Sequence, residues 1–249
     1  MKVFVAKKNT VIFIGAAFLF CIFTITLMTT HAILNKKNAN YAYTLILDAG
    51  HGGEDGGAVG AGGVVEKNIN LDISLKTKEL FEIFGAEVIM TREKDKAIYD
   101  GEAKRLRQKK RSDLRNRLKI IEKNSDDKTV FVSIHQNKFP DSKYSGTQIF
   151  YSTNNPSSEE LALSVREKIV SAIQPENERE IKPATSKIFL LNNAKIPAIT
   201  VECGFISNEE EAKKLVDENY QSQMAMSIFC GVNNFINKNA DNLNSETVE

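Results

Sequence analysis

Four residues of this chain have the types and positions needed for hydrolytic chemistry: His51, Glu66, His135 and Glu202. The sequence holds three histidines, and one of them, His31, sits in an apolar leader. The other two each close a strand-like run. "YTLILD" leads into the glycine-rich "AGHGGEDGGAVG", and "TVFVSI" leads into His135. Neutral imidazole is the commonest nitrogen ligand for a metal, and a hydrolytic zinc site takes three protein ligands plus water. With no histidine left, the third ligand must be an acid. Glu66 lies across the glycine loop at the start of a helix, where a carboxylate gains from the helix dipole. The loop glycines let the backbone turn back far enough to return Glu66 to His51. An acid in a first helical turn also serves capping, so spacing alone leaves both readings of Glu66 open. A loop or strand-end histidine can likewise satisfy local hydrogen bonds without any ligand. Glu54 and Asp55, the loop's other carboxylates, read as solvated turn residues.

Metal-assisted hydrolysis also needs a group that moves protons. Glu202 ends the apolar run "IPAITVE", where an acid has no structural purpose, and so reads as the general base. Cys203 is one position on and points to the opposite face of a strand, away from the chemistry. The glycine loop is not a nucleotide fingerprint: the register beginning at Gly50 and Gly52 meets Asp55 where G-x-G-x-x-G requires glycine.

Strands and helices alternate along the chain, which predicts an α/β domain with a mostly parallel, twisted sheet flanked by helices. Strands are expected at "YTLILD", Ala86–Thr91, Thr129–His135, Gly146–Ser152, "KIFLL" and "PAITVE". A helix from Glu66 to Phe84 carries Ile69, Ile73, Leu80 and Phe84 inward and stops at Gly85. Asp113 is placed to cap a helix bearing Leu114, Leu118 and Ile121. Ser157 to Ile173 reads as a helix, Asn208 and Glu211 as a capping box, and Tyr220 to Ile236 as the last helix. In such sheets ligands gather beyond the carboxyl ends of the strands, where His51, His135 and Glu202 all fall.

With 249 residues and a net charge of +1, the chain has room for one cored domain plus appendages and no global basic field for nucleic acid. The basic run Ala103–Arg117 reads as the wet face of a helix, although a contact with an anionic polymer is conceivable. Lysines at 2, 7 and 8 precede an uncharged apolar run from Val11 to Met28, near the lower limit of a membrane span. "TTHA" is a poor cleavage site, which favours an uncleaved membrane anchor over a cleaved signal. Residues 1–34 are read as this segment, 35–43 as a linker, 44–237 as the catalytic domain and 238–249 as a polar, frayed tail. Cys203 and Cys230 read as free, buried thiols.

The motifs "LDAGHGGEDGGAVG", Glu66 before a helix, "FVSIHQN" and "VECGFISNEEEAKKL" together resemble the zinc-dependent N-acetylmuramoyl-L-alanine amidase family. The resemblance covers nearly all of the chain from Thr44 to Ile236. It implies hydrolysis of the bond between the muramic acid lactyl group and L-alanine in peptidoglycan, with His51, Glu66 and His135 matching the zinc ligands and Glu202 the catalytic glutamate. "TREKD" (Thr91–Asp95) and "RSDLRNR" (Arg111–Arg117) also match the family pattern, whereas Lys138 replaces a more usual small residue. The short, membrane-anchored, germination-specific amidases of spore-formers are the most similar group. That implies an exported enzyme of the cell envelope or spore, acting on cortex peptidoglycan so that muramic-δ-lactam can form. The need for an accessory protein is left open. The rival readings are another zinc hydrolase of wall peptides, carboxypeptidase-like, and a non-catalytic wall-binding protein.

Overall fold

The central strands of the sheet carry apolar residues on both faces, and this decides where the helices go. In the computed structural model, which describes position 24 and residues 43–246 with side chains through 239, six strands form one sheet. They are β1 (Thr44–Ala49), β2 (Glu87–Met90), β3 (Thr129–Asn137), β4 (Gln148–Tyr151), β5 (Lys182–Pro183) and β6 (Ala198–Phe205), in the order β2-β1-β3-β6-β4-β5. All neighbours are parallel except β4 and β6. The helices are α1 (Glu66–Ile83), α2 (Leu106–Lys123), α3 (Ser157–Ile173), α4 (Phe189–Asn193), α5 (Glu209–Leu215) and α6 (Glu218–Glu246). All these strands and helices belong to the unit Tyr41–Glu249.

Leu45, Leu47, Val132, Ile134, Val201 and Cys203 share one core with residues of α1, α3 and α6. Ile46, Phe131 and Ala198 share the second with Ile121 of α2 and with Leu190 and Leu191 of α4. Because side chains alternate along a strand, Asp48, Ser133, His135 and Glu202 carry the parity of the second face. At the carboxyl end of the sheet that face changes from apolar to polar, and there the chemistry-bearing residues collect. His135 and Glu202 are cross-strand partners.

Several expectations are corrected. "KIFLL" is not a strand: Phe189–Asn193 form a short helix with Leu190 and Leu191 buried, and the edge strand is Lys182–Pro183. Asp113 does not cap α2, which begins at Leu106 with Arg105 N donating to Gln108 Oε1 (3.1 Å). Leu114 is exposed rather than inward. On α1, Phe81 is fully buried and packs edge-on against Phe229, whereas Phe84 is exposed. Asn208 caps α5 as expected, accepting from the Glu210 and Glu211 amides, but Glu211 does not complete the box. Its carboxylate turns to the Phe205 and Gly146 amides instead (2.7 and 3.0 Å). The last helix runs on to Glu246, through most of the stretch read as a frayed tail. Cys203 is buried, Cys230 half-buried, and both are free.

Apart from position 24, the apolar leader, 1–34, lies outside the described residues. Among the described residues no helix is long and apolar enough to cross a membrane.

Candidate active site

The three residues expected to hold a metal converge. His51 follows β1, Glu66 is the first residue of α1, and His135 lies near the end of β3. One ligand atom from each lies within 4.8 Å of the other two. Glu66 Oε1 is 2.9 Å from His135 Nδ1 and 3.3 Å from His51 Nε2. The two rings meet edge to face at 5.0 Å. Glu66 itself is buried and fixed: its Oε2 accepts from the Ala58 amide (2.7 Å), and its Oε1 also accepts from the Gln136 amide (3.1 Å). Glycine is required at Gly50, because a Cβ there would fall 2.2 Å from His135 Nε2. Gly57 is needed for two reasons: its φ is +70°, and a Cβ would fall 2.5 Å from Glu66 Oε2.

Two imidazole nitrogens and one carboxylate oxygen are a donor set suited to a divalent cation such as zinc. The electrostatics point the same way. Burial would lower the pKa of His51, yet hydrogen bonds to the Asp55 and Glu66 carboxylates raise it to about 9. Burial would raise Glu66, but the two histidines hold its carboxyl far below the usual range. The cluster favours a positive charge at its centre.

Asp55 is not the solvated turn residue that the sequence suggested. Its Oδ2 accepts from His51 Nδ1 at 2.9 Å, leaving Nε2 turned toward Glu66. A carboxylate in this role fixes ring orientation and tautomer, as is usual behind a metal-binding histidine. Glu54 behaves as expected, staying exposed and paired with Lys109.

The loop backbone is held from behind. His51 has φ +62°, the one positive φ outside glycine among the described residues, and such a conformation is uncommon enough to require support. Arg117 Nη2 donates to the His51 carbonyl (2.6 Å), and its Nη1 to the Ala49 carbonyl (2.8 Å). Arg92 Nη2 and Asn70 Nδ2 both donate to the Gly50 carbonyl (3.0 and 3.1 Å). Asp95 holds the Gly53 amide at 2.8 Å. Arg117 is 1% exposed and pairs with the fully buried Asp48 and with Asp113. Reading the whole basic run as a wet helix face was therefore wrong at its last residue. Sequence reasoning left Asp55, Arg92 and Arg117 without a role. The available signal was that "TREKD" and "RSDLRNR" fit the family pattern, together with the Asp113–Arg117 spacing of four that aligns them on one helix face.

Asp48 gives the protein a measurable acid sensitivity. Burial would raise its carboxyl, but the Arg117 charge, helped by His135 and by the Ser133 and Thr91 hydroxyls, brings it down to about 2. A folded value below the unfolded value of about 3.9 gives stability that is complete above pH ~4 and lost as pH falls toward 2. The amount is about 2 kcal/mol. Urea unfolding between pH 6 and 2.5 is expected to show this loss, and Asp48→Asn to lack that share of it.

Glu202 lies beside the cluster on β6. The residue is half-buried, but its Oε2 is buried with no hydrogen-bond partner among the described residues. Burial and the Glu66 charge, opposed by the two histidines, push its carboxyl up to about 7. Cys203 is fully buried in the opposite core, and burial pushes its thiol far up, which excludes it as a nucleophile. Between α2 and α4 a cavity of about 190 Å3 opens onto His51 and His135, walled by Leu114 and Leu190 with Lys110 and Arg117 behind.

A mostly parallel sheet with a two-histidine, one-glutamate cluster beyond its strand ends and a buried, unpartnered acid oxygen beside it has the donors to hold a metal ion next to a proton-transfer group. The family model for N-acetylmuramoyl-L-alanine amidase matches residues 45–234. This chain belongs to that family of enzymes. The germination-specific N-acetylmuramoyl-L-alanine amidase of Bacillus subtilis is 36% identical over 203 residues, covering 79% of this chain and 81% of that one. Among solved structures, the CwlD amidase from Clostridioides difficile, in complex with the GerS lipoprotein, superposes with a TM-score of 0.75 at 44% identity. That match covers 78% of this chain and 98% of the other. AmiC2 of Nostoc punctiforme gives 0.67 at 28% identity, covering 78% and 97%.

Proposed function

We propose that this enzyme is a zinc amidase that cuts between the muramic acid lactyl group and L-alanine of peptidoglycan, using His51, Glu66 and His135 as ligands and Glu202 as base. The observation carrying this reading is the meeting of three donor atoms within 4.8 Å beside an orphaned, buried Glu202 oxygen. A zinc ion held by these three residues would supply Lewis acidity and a water acidic enough to serve as nucleophile near neutral pH. Glu202 takes the proton of the attacking water and returns it to the departing alanine nitrogen. A carboxyl raised to about 7 suits both halves of that transfer. Asp55 keeps His51 in one tautomer. Arg92, Arg117 and Asn70 hold the loop that carries His51.

The place of action we infer is outside the cytoplasm, in the envelope or the spore cortex, where amide cleavage precedes muramic-δ-lactam formation. Similarity to the Bacillus germination-specific enzyme supports this. The lysine-flanked apolar segment at 1–34 serves as anchor or signal, 35–43 as linker, 44–237 as catalytic domain and 238–249 as tail. The relative solved with a lipoprotein supports an accessory partner here as well.

Purified full-length protein incubated with peptidoglycan, with and without a chelator, tests the reading. New L-alanine amino termini and free muramic acid lactyl carboxyls, both abolished by chelation, are the expected products. New peptide carboxyls would instead mean a carboxypeptidase, and no products a binding protein. Gly50→Ala and His135→Ala are both expected to lose bound zinc, the first by driving His135 aside and the second by deleting a ligand. Elemental analysis after gel filtration, with circular dichroism as a control for folding, reads this out.

A further inference from the structure

Of the basic run on α2, one exposed member faces the catalytic cavity. Lys110 lines it beside His51 and His135, with its side chain 45% exposed. Its ammonium carries three donors, and Asp55 Oδ1 takes one at 2.7 Å. The cavity's other cation, Arg117, is committed to Asp48, Asp113 and two backbone carbonyls. Lys110 is therefore the cation there with donors to offer an incoming group. At about 190 Å3 the cavity is smaller than the roughly 300–1,000 Å3 of sites for whole small-molecule ligands. It holds a fragment of the substrate.

The chemistry of the substrate decides which fragment. On the sugar side of the scissile bond, the lactyl carboxyl is consumed in the amide and the amino group is acetylated, so no charge lies nearby. On the peptide side, the carboxyl of L-alanine is consumed in the next bond. The nearest free anion is the α-carboxylate of the second residue, a glutamate linked through its side chain. We propose that Lys110 binds this carboxylate, so that the stem peptide enters the cavity between α2 and α4. The alanine methyl then packs on the apolar wall formed by Leu114 and Leu190. This assignment rests on the amidase reading above and adds the direction in which the substrate lies.

The test compares two soluble muramoyl peptides that differ at one group: N-acetylmuramoyl-L-alanyl-D-glutamate extended through the side-chain carboxyl, and the same compound with the α-carboxylate amidated. Full-length, zinc-loaded parent enzyme is expected to prefer the carboxylate form by about 10- to 100-fold in kcat/KM, mostly through KM, the scale of a hydrogen bond to a charged group. Lys110→Gln is expected to treat the two alike while keeping its zinc, and Lys110→Arg to retain the preference. The proposal is overturned if the parent shows no preference, or if Lys110→Gln slows both substrates equally and the preference survives. Loss of zinc in Lys110→Gln also overturns it, because Lys110 would then act only through Asp55 and His51. If the parent hydrolyses neither compound nor peptidoglycan, the amidase reading itself has failed, a result distinct from all the others.

Discussion

Glu202→Gln is expected to lose about 10²–10⁴-fold in rate while the protein keeps its fold and its zinc. Glutamine is close in shape, so the packing between His135 and Gln148, its cross-strand neighbours, survives. Glutamine cannot accept the water proton, and that alone is removed. The buried Oε2 has no partner to lose, so removing the charge relieves a desolvated carboxylate rather than breaking a bond. Unfolding temperature should therefore hold or rise slightly as turnover falls. Hydrolysis at the parent rate by zinc-loaded Glu202→Gln would remove Glu202 from the mechanism.

The second large effect is on stability. Arg117→Met is expected to cost about 3–5 kcal/mol, because it leaves Asp48 charged in a site with no access to water. Natural domains have only about 5–15 kcal/mol in all, so this is a severe loss. The His51 carbonyl also loses its donor and the Ala49 carbonyl keeps only that from Arg92 Nε, so the residual folded protein should bind metal poorly. The double variant Asp48→Asn/Arg117→Met separates these causes. Removing the stranded charge should recover much of the stability, since the Thr91 and Ser133 hydroxyls can serve an amide. Metal affinity should stay low, since the His51 carbonyl remains unheld. Equal destabilisation in the single and double variants, measured by urea unfolding, would mean that the ion pair is not what secures this region.

How much of this was legible in the sequence follows from the range of each interaction. Strands β1, β3 and β6 announced themselves as apolar runs ending in a polar residue, and their ends gave His51, His135 and Glu202. Periodicity failed at "KIFLL", because the four-residue apolar run Ile188–Leu191 fits a strand or one turn of helix equally well. It failed at Asp113 because a capping residue and a buried ion-pair partner look alike in one dimension. Lysine and arginine in the run 103–117 are indistinguishable by charge, yet Arg117 is buried and Lys110 faces the cavity. The difference comes from Asp48, on a strand nearly seventy residues away. Asp55 was missed for the converse reason. It sits four residues from His51 in a loop whose turn conformation, set by glycines, is invisible to any periodic pattern.

The way the His51 loop is supported limits its portability. Its unusual backbone is gripped at the main-chain carbonyls by side chains from β1's distant neighbours, and hardly at all by its own. Copying the stretch from Asp48 to Glu66 onto a different protein would therefore transfer the letters without the shape. A transplanted loop would need Arg92, Arg117 and Asn70 rebuilt in space before it could chelate anything.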